Sequence, residues 1–385
     1  MCPIHYTITS KDIYGYAAGV LQPHLQWRDR GPKCTVTTLL QVMFYAAAQR
    51  CSLFAACRRL RDAPSDQAVR DTLVALCPPA ETLEQQLNAS FAAQLPRAVK
   101  KRRWRLAIDL HLRPYYGQAQ QRVEELYRSQ AKNGTTHFHA YATCYLVHHG
   151  RRYTVALTGV EKGTALVEVL KRLLRRARLS GVRPNLLLLD RGFYSVAIIR
   201  YLQAARYPFI MPAIIRGRKA SHPKGPSGTR VFALWKRSGW ATYTLTSANQ
   251  RQATVRIGVH CRNRRNQRRQ TLVYAFWGIA PKTTQWVFQI YRDRVGIETS
   301  YRQLGEACIK TTTRNSTLRL LFVGIALLLR NVWVWVHWVY LATPRRGGRK
   351  LNLQSLRFKT LLMWLTHLAE ETFGFDDTVI AARIP

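Results

Sequence analysis

The segment Leu320 to Ala342 constrains the fold of this chain more than any other: it is apolar almost throughout and nominally long enough to cross a bilayer. Arg330 and Asn331 stand at its centre. An arginine at mid-bilayer costs at least about 2.5–3.5 kcal/mol, so the segment is expected to be a helix buried in a protein core, with no membrane partner. A core is affordable, since 385 residues suffice for two or three domains and 47% of them are hydrophobic. The first residues, MCPIHYTITSKDIYG, lack a basic leader followed by an apolar run. The eight cysteines form no CxxC pair and no zinc-like spacing with histidine. The expectation is a cytoplasmic, nucleoid-associated protein with reduced thiols.

Charge narrows the partner. Sixty Lys and Arg against 20 Asp and Glu give a formal net charge of +40, which calls for a polyanion. Arginine dominates, and its planar fork suits phosphate and base edges, so double-stranded DNA is the expected partner. Carboxylates are absent from residues 191–292, which carry nearly half of the net positive charge.

Hydrophobic periodicity divides the chain. Residues 1–99 read as a helical domain, with helices in CTVTTLLQVMFYAAAQ, SLFAACRRLRD and SDQAVRDTLVALC, the last capped by Ser65. The last two fit a helix-turn-helix presenting Gln67 and Arg70 to DNA, or equally a plain packing unit. From Lys100 strands appear: WRLAIDLHL, a hairpin of HFHAYATCYLV and RRYTVALTGV, then after a helix NLLLLD, and after another helix PFIMPAII. This order is that of a ribonuclease-H-like α/β core, with its first part at 100–214. Residues 215–286 read as a β-rich basic insertion with strands VFALWKR, ATYTLTS, ATVRIGVHCR and TLVYAFWG. Closing helices of the core follow at 287–343, then a basic linker and tail at 344–385.

In a chain so poor in acids, a carboxylate inside an apolar strand is informative. Asp109 lies within WRLAIDLHL, where an unpaired charge is costly, and Asp190 ends NLLLLD, at the strand edge where α/β sheets build their sites. If the strands are neighbours, the two carboxylates meet. Glu298, on a helix with Tyr291 and Arg294 spaced three and four residues apart on one face, is the candidate third acid. Three such carboxylates suit a pair of Mg²⁺ ions, with Mn²⁺ as substitute, acting on phosphodiesters. Arg294 and Tyr291 would position the scissile strand. The plain alternatives are a salt bridge from Asp109 to an arginine, Asp190 as a helix cap, and an ordinary Arg294–Glu298 ion pair.

The segments AIDLHLRPYYG, LLLLDRGFYS and YRDRVGIETSYR, in this order and with the acids separated by 80 and then 107 residues, resemble the catalytic core of the DDE transposases of prokaryotic insertion sequences. More narrowly, they are similar to the branch with the signature Tyr-x2-Arg-x3-Glu-x6-Lys and a β-rich insertion. The resemblance runs from about Trp104 to Tyr340. It implies an enzyme that binds the terminal repeats of its element, cleaves the ends by metal-dependent hydrolysis and joins the freed 3′-OH ends to target DNA. It also implies a homodimer bridging two DNA ends. Position 305 departs from the signature, with Gly in place of Lys. Arg302 or Lys310 is the candidate replacement as a DNA contact. A silent DNA-binding descendant and a nuclease without strand transfer are the rival readings.

Arg262, Arg264, Arg265, Arg268 and Arg269 are expected to form a solvated turn touching phosphates. His137 and His139 share a strand face without a third metal ligand. Trp235, Trp240, Trp277 and Trp286 read chiefly as core aromatics, with base stacking as the alternative.

Overall fold

The computed structural model describes residues 7–100, 102–120, 122–148, 151–264, 267–295, 305–345, 348–350 and 354–376. Six helices come first: α1 (Ser10–Leu25), α2 (Val36–Ala48), α3 (Leu53–Arg59), α4 (Asp66–Leu76), α5 (Ala80–Ala93) and the single turn α6 (Arg97–Lys100). Side-chain caps start most of them, including the expected Ser65, whose Oγ accepts the amide of Ala68 at 3.2 Å.

A mixed sheet of nine strands among the described residues then forms the body of the protein. In chain order these are β1 (Arg103–Pro114), β2 (Tyr127–Lys132), β3 (Thr135–His148), β4 (Arg151–Val160), β5 (Arg183–Leu189), β6 (Phe209–Pro212), β7 (Gly239–Thr246), β8 (Gln252–Arg264) and β9 (Gln267–Trp277). The spatial order is β2-β3-β1-β5-β6-β9-β8-β7, with β4 also paired to β3. β1 runs antiparallel to β3 and parallel to β5, so it sits at the centre with a neighbour on each side. Helices α7 (Leu166–Leu179) and α8 (Val196–Ala204) make the crossovers, α7 burying Val169, Leu170, Leu173, Leu174 and Ala177 along one face.

The strands of residues 215–286 join this sheet rather than stacking apart from it, because β9 pairs antiparallel with β6 from Phe209↔Trp277 to Pro212↔Tyr274. Two sequence expectations need correction here. VFALWKR is not a strand: residues 230–233 form the helical turn α9 (Arg230–Ala233), which buries Phe232. Gly217 and Gly228, both at positive φ, let the chain cross itself just before that turn, where a Cβ on Gly217 would lie 2.1 Å from the carbonyl oxygen of Ser227. The arginine-rich segment is also less of a loop than expected, since β8 continues to Arg264 and β9 begins at Gln267.

After α10 (Thr284–Arg292) the long apolar run forms α11 (Ser316–Val336), buried inside the protein and packed on α5 and β4. Its central polar residues have a clear purpose. Asn331 accepts the amide of Thr154 at 2.8 Å and donates to the Thr154 carbonyl at 2.9 Å, so its side chain pairs with β4 as a neighbouring strand would. Asn88 on α5 does the same to Leu157. Arg330 donates to the carbonyl of Arg152 at 2.9 Å and lies over the ring of Tyr145. Residues 358–373, taken from sequence as part of a tail, instead form α12 (Phe358–Phe373), which packs on α1 and α2. Gln41 and Tyr45 of α2, and Gln49 that caps it, hydrogen-bond to Thr372, Glu370 and Thr366 of α12.

Candidate active site

β1 and β5 place the two expected aspartates side by side. Ile108 is in register with Leu189, so the next residue on each strand, Asp109 and Asp190, leaves the pair at the same level. A single nitrogen of Arg294 meets both: Nη2 lies 3.0 Å from Oδ1 of Asp109 and 3.4 Å from Oδ1 of Asp190. The surroundings of the two acids differ. The Asp109 side chain is 13% exposed and that of Asp190 46%. Burial pushes the Asp109 carboxyl up to about 6, against the opposing pull of Arg294, while Asp190 adds to the rise. The amide of Leu110 donates to Asp109 Oδ1 at 2.9 Å. Asp190 makes no side-chain cap to the turn that follows it, which leaves its carboxylate to the site.

The C-terminal end of α10 is fastened across these strands. Tyr291 donates its hydroxyl to the carbonyl of Leu189 at 3.1 Å, one residue before Asp190, and Arg294 lies over its ring. Arg105, on the Asp109 face of β1, binds Asp293 at 2.5 Å. Tyr291 and Arg294, expected from sequence to position the scissile strand, lie beside the aspartates. The salt bridge from Asp109 to an arginine, named from sequence as the plain alternative to a metal site, is present, and Arg294 makes it. Sequence reading missed the Arg105–Asp293 pair, although Arg105, Asp109 and Arg113 alternate on one strand face and signal it. Glu298 and Arg302 lie outside the described residues.

Two carboxylates that converge on one cation present the hard oxygen donors that a divalent ion takes. They fit the implied metal as far as the described residues go. No cluster of three or more acidic, histidine or cysteine side chains occurs among them.

The family model described as the transposase DDE domain matches residues 100–331, which span both aspartates and the intervening strands. The chain belongs to this transposase family. The fold agrees: the piggyBac transposase, solved as a synaptic complex with hairpin DNA, is similar with a TM-score of 0.55 and 11% identity, over 95% of this chain and 81% of that one. No curated protein matches the chain.

The other expected contacts of this transposase are scattered. Gln67 and Arg70 are exposed on α4 but bound to each other and to Asp71 and Asp66, respectively. Arg262 donates to Gln270 Oε1 and lies over Phe288 of α10, 4.9 Å from the ring centre. Arg264, Arg268 and Arg269 lie on β8 and β9, and Arg265 falls outside the described residues. Lys310 is exposed, on a wall of a cavity beside β1. His139 is buried against Tyr115, and burial with nearby Arg319 holds it down at about 4, the charge state of a packed side chain. Trp235 and Trp240 pack on Phe232 and Phe276, whereas Trp286 is partly exposed at the start of α10.

Proposed function

We propose that this transposase binds the terminal repeats of an insertion sequence, cleaves the ends and transfers their 3′-OH groups to target DNA, by cut and paste. The observation that carries the reading is the meeting of Asp109 and Asp190 at Arg294. With Glu298 as third ligand, these acids would hold two Mg²⁺ or Mn²⁺ ions. When bound, such ions activate the attacking oxygen and relieve charge on the leaving one. In the first step a water oxygen attacks phosphorus and the P–O3′ bond breaks, leaving a 3′-OH and a 5′-phosphate. In the second the 3′-OH oxygen attacks a target phosphorus and the target strand leaves as a new 3′-OH.

The chain's own groups orient these steps. Asp109 and Asp190 are set by the register of β1 and β5. Tyr291 holds α10 against the end of β5, and Arg294 neutralises the acids and positions the scissile strand. The order β4-β3-β1-β5-β6, with β1 central, supports a ribonuclease-H-like core. Residues 215–286 read as an insertion in that core, and the active form as a homodimer on two DNA ends.

The test uses DNA carrying the inverted repeats that flank the gene. With Mg²⁺ or Mn²⁺ the wild-type protein is expected to nick these ends and join them to a plasmid, and Asp190→Asn to do neither. Equal cleavage by the variant refutes the assignment, and cleavage without joined product in the wild type makes the protein a nuclease.

A further inference from the structure

A second feature lies on the face of β1 that carries Asp109. Beyond the aspartate, His111 and Arg113 follow at alternate positions and therefore point the same way. They open on a cavity of about 550 Å³ whose walls bring together Arg50 from the turn between α2 and α3, Lys132 from β2, Lys310 from the segment leading into α11, and Arg319 from the first turn of α11. Among the described residues no Asp or Glu lines it, and none of these five cations has an ion pair. Arg113 donates to Sγ of Cys308, while its Nε is buried with no hydrogen-bond partner among the described residues. Arg319 is already anchored to the carbonyls of Thr311 and Thr313 and lies over the ring of Tyr115, so it is held in place as a fixed charge. Five positive charges gathered around one hollow, with no carboxylate among its described walls, leave room for an anion.

We infer that this cavity holds backbone phosphates of the DNA strand as it leaves the Asp109–Asp190 pair. The distance suits it: at about 3.3 Å per residue, His111 and Arg113 lie roughly 7 and 13 Å along the strand from Asp109, a few nucleotide steps of about 3.4 Å of duplex axis each. The inference rests on the transposase reading of the carboxylates. Lys132 and Lys310 are exposed and can be neutralised without touching the core. Gly305 lines the same cavity, and a Cβ there would meet nothing within 4 Å, so a cation can be added as well as removed.

The experiment measures binding of the full chain to a short fluorescent duplex by anisotropy, between about 50 and 200 mM salt. For Lys132→Gln with Lys310→Gln, the slope of log K against log salt should be shallower than wild type by about 1.8, since each phosphate contact contributes about 0.9. For Gly305→Lys it should be steeper by about 0.9. An unchanged slope in either protein overturns the inference, as does an equal fall when Arg175 and Arg178 on α7 are changed to Gln instead. Cleavage by Asp190→Asn reads the carboxylates separately, so a failure of the cavity and a failure of the catalytic reading give different results.

Discussion

One strand of this transposase carries two opposite ways of keeping charge beside a core. At Asp109 a largely buried carboxylate is answered from within the chain, by Arg294 at 3.0 Å. Farther along the same face, Arg113 and the cations around it have no carboxylate to answer them among the described residues. A charge that is neutralised internally can be held ready for chemistry without a ligand, whereas a cluster that is not neutralised is complete only with a partner of opposite sign. On the proposed reading, the contrast separates a site that reacts from one that binds.

Breaking the answered end should have the largest effect. Asp109→Asn is expected to lower DNA cleavage by about 10²–10³-fold or more, the scale of removing a central electrostatic element from a site, as measured by product per unit time on end-containing DNA. Arg294→Ala would leave the two carboxylates facing each other, and we expect a loss of about 3 kcal/mol in chemical denaturation, the low end for a broken buried pair because Asp190 is half-exposed. Added Mg²⁺ or Mn²⁺ should raise the melting temperature of this variant more than that of the wild type; no difference would mean that the acids do not share an ion.

The cation-rich end should respond to acid instead. His139, paired in register with Arg113, is held neutral by burial and by Arg319, at about 4. A histidine whose folded-state value lies below its unfolded value of about 6.5 adds stability above that range, lost as pH falls through 6.5 towards 4, because the unfolded chain takes up the proton more readily. His139→Phe should remove roughly 2–3 kcal/mol of this acid sensitivity, read as a flatter stability profile between about pH 4 and 6.5. The smallest effect is expected at the exposed cavity lysines, where Lys132→Gln and Lys310→Gln should each change folding stability by no more than about 0.5 kcal/mol. A larger loss would show that these lysines are structural and erase the contrast.

Much of the site was legible because short-range pattern carried it. An acid inside an apolar strand, another at a strand's end, and Tyr291 and Arg294 at helical spacing can all be read from neighbours in the chain. The buried fate of α11 was legible too, since Arg330 and Asn331 are incompatible with lipid. What they touch was not: Asn331 completes the edge of β4, a partner 177 residues away. The same limit explains α12, whose sequence gives no sign of the helices it covers, and the turn of α9, where a crossing of backbone at Gly217 and Gly228 overrides a strand-like run.

The amino-acid sequence alone determined the chemistry on offer: few acids, where they fall in the strand pattern, and a charge that demands a polyanion. Only the tertiary structure decided which groups face one another, that Asp109 and Asp190 share one guanidinium and that Arg50, Lys132 and Lys310 share one hollow with Arg113. Side-chain type and local periodicity are properties of adjacent residues, whereas strand register and the packing of distant segments arise when the whole chain buries its apolar surface at once.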